Sequence, residues 1–158
     1  MSLELALRAV DASDELHESF FAASRTDFDL LPEPVRSTMI AQQSRMQMAA
    51  YASSYPDMRI EVADVDDTPI VRLMTAELAD HVLVIDIVVR PEARGSGIAR
   101  HALGVVVARA DAQRLETRAS IRSDNTASRR LHEGLGFECV ADDGDYSAYV
   151  RPTSAEAG

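Results

Sequence analysis

Apolar and polar positions along the chain sort into short alternating runs and longer helical stripes, and the densest apolar run is Val82 to Val89. Only Asp86 interrupts its Val, Ile and Leu residues, a composition that suits a strand buried on both faces. Arg90-Pro91 ends the run, because proline offers no N–H to a ladder. Small residues follow in Arg94-Gly95-Ser96-Gly97-Ile98-Ala99, and from Ile98 the apolar positions Ala102, Val105 and Val106 keep the spacing of a helix face. Strand, glycine turn and helix start make the layout of an anion site. Glycine lets the backbone approach an anion closely, and the first N–H groups of the helix point towards it. Ordinary turn chemistry would explain the same glycines. The two common nucleotide loops, G-x-G-x-x-G and G-x-x-x-x-G-K-[ST], are both absent.

The remaining pattern predicts the other elements. Leu3 to Val10 alternates as a first strand, and Asp11 to Asp14 offers caps for a helix over Glu15 to Thr26. Phe20, Phe21 and Phe28 belong to the core or line a binding site. Leu31-Pro-Glu-Pro34 breaks the chain before a helix from Val35 to Ala52, with Val35, Met39, Met46 and Ala50 on one face. Arg59 to Ala63 and Pro69 to Ala76 read as a hairpin turning at Asp64 to Asp67. Arg114 to Ile121 is a strand whose apolar face holds Leu115, Thr117, Ala119 and Ile121. Ser123-Asp124-Asn125 caps a further helix that Gly134 and Gly136 end. Phe137 to Ala141 and Tyr146 to Val150 close the chain as a hairpin. Together these predict an α/β (α+β) fold: a mixed, largely antiparallel sheet with helices on both faces. A single domain is expected over residues 1–151, with a disordered tail at 152–158.

Composition narrows the function classes. The chain has 158 residues, enough for a core without disulfides, and one cysteine, Cys139, expected to be buried rather than reactive. Its net charge of −10 argues against nucleic-acid binding, which needs a basic footprint. No apolar run reaches the length of a membrane span, and the start lacks the features of a signal peptide, so the expected location is the cytoplasm. His17, His81 and His101 have no spacing partners for a metal site.

Arg94-x-x-Gly97-x-Ala99 resembles the pyrophosphate loop of the GCN5-related N-acetyltransferase (GNAT) superfamily. About thirty residues further on, Asn125-Thr-Ala-Ser-Arg-Arg-Leu131-His132-Glu-Gly-Leu-Gly136-Phe137 is similar to that superfamily's downstream signature, N-x-x-[AS]-x-x-L-Y-x-x-x-G-F. The resemblance covers about Val82 to Phe137. It implies a GNAT fold, acetyl-coenzyme A as donor, and transfer of the acetyl group to an amine on a small molecule or peptide. A homodimer is compatible with it. A coenzyme A thioester sensor without turnover is the alternative from another class.

The resemblance also implies roles for particular residues. Gly95, Ser96, Gly97, Ile98 and Ala99 would hold the pyrophosphate, with Arg94 and Arg100 near it. The backbone of Ile87, Val88 and Val89 would pair with the pantetheine arm where the sheet splays, and the Val89 N–H would receive the developing oxyanion. Asn125 would bond the same arm or serve as an ordinary N-cap. His132 stands where the superfamily usually has a tyrosine acid. Seven residues turn a helix through about 700°, so His132 shares a face with Asn125, and Ser128 lies close to the same stripe. Asp86 is the candidate base, or else a structural aspartate paired with an arginine. Ser120 occupies the position where some relatives carry a catalytic glutamate. Gln42, Gln43, Gln47 and Tyr51 either contact the acceptor or form a solvated helix face.

Overall fold

The structure, a computed structural model, describes residues 5–11 and 13–153. Seven strands form one sheet: β1 (Leu7–Ala9), β2 (Arg59–Val65), β3 (Thr68–Glu77), β4 (His81–Val89), β5 (Glu116–Arg122), β6 (Glu138–Asp142) and β7 (Tyr146–Arg151). Their order is β1-β2-β3-β4-β5-β7-β6, and every neighbouring pair is antiparallel except β4 with β5. The helices are α1 (Asp14–Ser24), α2 (Val35–Ser54), α3 (Ile98–Ala112) and α4 (Thr126–Glu133). A parallel pair needs a crossover, and α3 supplies it between β4 and β5. The architecture is the mixed, mostly antiparallel sheet that the sequence predicts.

The larger core lies between α3 and the sheet. Ala102, Leu103, Val106 and Ala110 present one helical stripe to Val71, Leu73, Val82, Val84, Ala119 and Ile121. Each fully buried Leu or Val here stabilises the fold by about 1.5–3 kcal/mol relative to an exposed position. The opposite face carries two smaller clusters, Phe20 with Val62 and Val88, and Phe21 with Phe28 and Ile40. The β2–β3 hairpin turns tightly at Asp66 and Asp67, with φ of 50° and 62°. Two left-handed residues in succession match the twist of a two-residue hairpin, and aspartate tolerates that region better than most residues.

Two irregularities of β4 open the sheet at its centre. Val84 pairs with Thr75 but Asp86 pairs with Met74, so Ile85 is an extra residue in a β-bulge. The bulge changes which face alternate residues meet: Val82 and Val84 enter the α3-side core, while Asp86 and Val88 turn to the α1 side. Pairing with β5 runs only from His81↔Glu116 to Val84↔Ala119, after which the two strands part. The expectation that β4 is buried on both faces therefore fails beyond Val84. Ile85, Asp86, Ile87 and Val89 are only half-buried, because an open gap adjoins them.

Other expectations also need correction. The first strand spans Leu7–Ala9 among the described residues, and Leu3 and Glu4 lie outside them. The first helix ends at Ser24, and a 3-10 turn covers Thr26–Leu30. On α2 the buried residues are Ile40 and Ser44, whereas Val35 and Met46 are 47% and 64% exposed. The helix packs on α1 and the turn rather than lying on the sheet, so its contact stripe is narrow. Cys139 is exposed, because β6 is an edge strand whose five residues are all exposed. Of the expected tail, Pro152 and Thr153 are described, with Thr153 buried, and residues 154–158 lie outside the described residues.

Candidate active site

Two adjoining grooves open where β4 and β5 part. The first, about 590 Å³, runs from Asp86–Val89 past Arg94, Gly95 and Gly97 to Ile98, Ala99 and Arg100, with Asn125, Ser128 and Leu131 on its far wall. We call it the glycine groove. The second, about 800 Å³, is lined by Tyr51 and Gln47 of α2, Ser120 and Arg122 of β5, Arg25, Asp27, His132 and Tyr146. This tyrosine groove shares Asp86, Ile87, Asn125 and Ser128 with the first, so both meet at the bulge.

The strand edge facing the gap is set by the register. The Arg90 N–H donates to the Ile70 carbonyl, and Val88 lies directly opposite Arg72. Hydrogen-bonded pairs alternate in an antiparallel ladder, so Arg90 and Val88 direct their backbone groups to β3, and Ile87 and Val89 direct theirs to the gap. Val88, expected to offer its backbone to a ligand, is thus turned away, and its side chain is buried against Phe20.

Gly95 and Gly97 adopt φ of 78° and 83°, the left-handed region that favours glycine. Gly97 precedes α3 with no side-chain cap, which leaves the first-turn N–H groups and the positive end of a 15-residue helix facing the groove. The predicted neighbours behave differently. The Ser96 hydroxyl turns back to the Ala93 carbonyl, and Ser96 does not line either groove. Arg94 donates to the carbonyls of Ala23 (2.8 Å) and Val89 (3.3 Å), tying the turn to the end of α1. Arg100 donates to the Gly134 carbonyl at 3.1 Å and ties α3 to the end of α4. Both arginines line the glycine groove, but each guanidinium already has backbone partners.

Asp86 is held from behind. Arg72, 1% exposed, donates Nη2–H to the Asp86 carboxylate at 2.8 Å, while its Nη1 lies 3.1 Å from His17 Nδ1 and the guanidinium sits over the Phe20 ring. The carboxylate retains 26% exposure through the grooves. Burial raises its pKa above the ordinary aspartate value, and the Arg72 charge opposes that rise. The reading of Asp86 as an aspartate paired with an arginine is realised, and the carboxylate also lines both grooves. Tyr51 stands near the pair, and burial, with the Asp86 charge, pushes its phenol up to about 12, so it remains a hydroxyl.

His132 is only 1% exposed. Its Nδ1 lies 2.8 Å from the Ser128 carbonyl, which can only accept, so the ring proton sits on Nδ1. Burial lowers its pKa and keeps it neutral, and Nε2 is a buried nitrogen without a partner among the described residues. The ring edge packs on Phe137 with centroids 4.9 Å apart. Asn125 is the N-cap of α4, accepting from the Ser128 N–H at 3.1 Å through Oδ1, and it lines both grooves as well.

Sequence reasoning missed Arg72, Arg25, Asp27, Arg122 and Tyr146. Arg72 left one signal: it is a charge among the apolar residues inside its strand, as is Asp86 in the next strand of the same hairpin. Of the α2 candidates, Gln47 and Tyr51 line the site while Gln42 and Gln43 do not. Among the described residues, no three His, Cys, Asp or Glu side chains cluster to hold a metal ion, and no helix is long and apolar enough to cross a membrane.

Residues 12–137 match the acetyltransferase (GNAT) family. Solved structures share the fold at low identity. PaiA N-acetyltransferase from Thermoplasma acidophilum, in complex with coenzyme A, is 14% identical over 95% of this chain and 99% of its own, with a TM-score of 0.71. An acetyltransferase from Thermus thermophilus is 22% identical over 95% and 97%, at 0.69. A GNAT family acetyltransferase from Elizabethkingia anophelis, with acetyl-CoA bound, is 13% identical over 96% and 99%, at 0.64. No protein of curated function matches the sequence. The chain belongs to the acetyltransferase (GNAT) family.

Proposed function

We propose that this GNAT family acetyltransferase moves an acetyl group from acetyl-coenzyme A to a neutral amine by direct attack. The observation that carries the reading is the parting of β4 and β5 after Val84, which leaves Ile87 and Val89 without a partner strand on the gap side, along a groove that ends at the left-handed turn before α3. An extended arm can add to that edge as a strand, and an anion fits the uncapped start of α3. The residues present therefore suit coenzyme A, with the pyrophosphate at Gly95, Gly97, Ile98 and Ala99 and the arm along Ile87 and Val89.

The donor supplies a thioester carbonyl. The chain's part is to orient it, to stabilise charge on its oxygen and to manage the amine proton. The Val89 N–H, facing the gap, is the oxyanion donor. Asn125 uses Oδ1 for its cap and keeps Nδ2 for the arm. Asp86, at the junction of the grooves, takes in its carboxylate form the proton that the amine loses. His132 is neutral and its N–H is engaged, so it must gain a proton at Nε2 before it can give one. A thiol has a pKa near 8.5, so the thiolate leaves at neutral pH with little help from an acid. The tyrosine groove is the acceptor site.

Calorimetric titration with acetyl-coenzyme A, followed by thiol release with a panel of amines, tests this reading. Binding with release supports the transferase. Binding without release on every amine favours the sensor, and no binding overturns the assignment of the glycine groove.

A further inference from the structure

The charges around the tyrosine groove are distributed unevenly. Its inner end, at the junction with the glycine groove, holds the carboxylate of Asp86 with Arg72 behind it. Its outer part holds two arginines on different walls, Arg25 at the end of α1 and Arg122 at the end of β5, with side chains 41% and 67% exposed. Each is clasped by an aspartate two residues on. Arg25 donates Nε–H and Nη2–H to Asp27 at 2.9 Å each, and Arg122 does the same to Asp124 at 3.2 Å each. Arg25 is fixed further over the rings of Phe28 and Phe21, 4.7 and 5.5 Å from their centroids. These contacts use one edge of each guanidinium. The Nη1 donors of both are left without a protein hydrogen-bond partner among the described residues.

Most carboxylates near this rim are already engaged. Asp27 and Asp124 hold the two arginines. Asp142 accepts from the Gly144 N–H and from the Ser123 and Ser147 hydroxyls, and Asp143 accepts from the N–H groups of Asp145 and Tyr146. Asp145 stands near Arg122. Arg122 lies close enough for its charge to act on Arg25. An oxyanion placed between them would complete two oriented donor sets.

We propose that the acceptor is an amine that also carries a carboxylate or a comparable oxyanion, with its nitrogen at Asp86 and its anion between Arg25 and Arg122. This rests on the reading of the two grooves as donor and acceptor sites, and it narrows the substrate class to amino acids and similar anionic amines. A net charge of −10 repels anions from the molecule as a whole, so any preference for a carboxylate must arise locally, from these two side chains.

The test measures thiol release at saturating acetyl-coenzyme A with L-amino acids, each beside its C-terminal amide and its decarboxylated amine, with rates corrected for the fraction of free amine. The expected result is a kcat/KM about tenfold to a hundredfold higher for the acids, the range of a lost charge-assisted hydrogen bond. Arg25→Gln and Arg122→Gln should each raise KM for the acids about tenfold or more, a larger effect than on KM for the amides or on kcat, and preserve coenzyme A affinity. Amides or simple amines used as well as the acids would overturn the proposal. If no acceptor releases thiol, the failure lies with acetyl transfer, and the clamp is then tested by calorimetry with N-acetyl amino acids and their amides in the presence of coenzyme A. There the acids must bind about tenfold more tightly, and a ratio near one overturns the proposal.

Discussion

Asp86 accepts a 2.8 Å hydrogen bond from Arg72, although the two lie on neighbouring strands in non-opposite positions, Arg72 across from Val88 and Asp86 across from Met74. The bulge at Ile85 makes this diagonal contact possible. In an unbroken strand Asp86 would follow Val84 into the α3-side core, where a carboxylate would have no partner. One extra residue carries it to the other face, beside a buried guanidinium and at the junction of two grooves.

The activity should rise with pH on its acid side. Burial raises the Asp86 pKa, and only the ionised form can accept a proton, so the rate increases as pH climbs through that raised value. Asp86→Asn should abolish this limb and lower kcat about a hundredfold or more, the usual contribution of a positioned base. Arg72→Met removes the opposing charge, so the limb should move to higher pH. It should also lower stability by about 3 kcal/mol, because a buried carboxylate loses its partner. pH–rate profiles and thermal melts of the two variants check both effects. An Arg72→Met profile that coincides with wild type would remove Arg72 from the setting of Asp86.

Much of this arrangement was legible in the sequence because it lies in contiguous patterns. The apolar run of β4, the glycines before α3 and the cap at Asn125 each announce themselves within a few residues, and the structure brings Asp86, Ile87, Gly95, Gly97, Asn125 and Ser128 to the two grooves. What escaped depends on register and on non-local packing. The bulge at Ile85 has no composition signal, and it decides which face Asp86 meets. The same register turns the Val88 backbone away from the gap. The resemblance places Arg94 and Arg100 near the pyrophosphate, but carbonyls of Ala23 and Gly134, distant in sequence, engage them. Arg25 and Arg122 share a groove only because α1 and β5 converge on it.

At the glycine turn, Gly97→Ala and Gly97→Glu separate strain from charge. A Cβ at Gly97 would meet nothing within 4 Å, but φ of 83° imposes about 1–2 kcal/mol of strain on any L-residue. Both variants should therefore melt lower by similar amounts. Gly97→Glu alone places a carboxylate at the start of α3 and should weaken coenzyme A binding about a hundredfold or more by calorimetry, the effect of opposing like charges at the anion site. Equal affinity in the two variants would remove the pyrophosphate from this turn.

The buried imidazole of His132 makes stability sensitive to acid. Its folded pKa is depressed by burial, so the stability it contributes is present above the ordinary histidine value and falls as pH drops through that value towards the folded one. His132→Phe cannot take up this proton and should show a smaller loss of melting temperature between about pH 8 and pH 5. It also loses the bond from Nδ1 to the Ser128 carbonyl, worth about 1 kcal/mol, so it should melt lower at the alkaline end of that range. Turnover should fall while donor affinity is kept. Melting curves at several pH values, read beside steady-state rates, separate the two contributions, and unchanged turnover would leave His132 a packing residue of α4.

Asn125 is assigned two tasks that use different atoms, and a pair of substitutions distinguishes them. Oδ1 caps α4 by accepting from the Ser128 N–H, and Nδ2 is left to face the glycine groove. Asn125→Asp keeps an acceptor at the cap and adds a negative charge at a helix N-terminus, so the melting temperature should hold or rise slightly. It replaces the Nδ2 donor with an acceptor, so affinity for acetyl-coenzyme A should fall about tenfold, as expected when one hydrogen bond to a bound ligand is lost. Asn125→Ala loses the cap as well and should destabilise the protein by about 1 kcal/mol. Calorimetric affinity and melting temperature should thus move independently across the two variants. If Asn125→Asp binds the donor as wild type does, Nδ2 plays no part in binding, and the asparagine of the downstream motif serves here only to start α4.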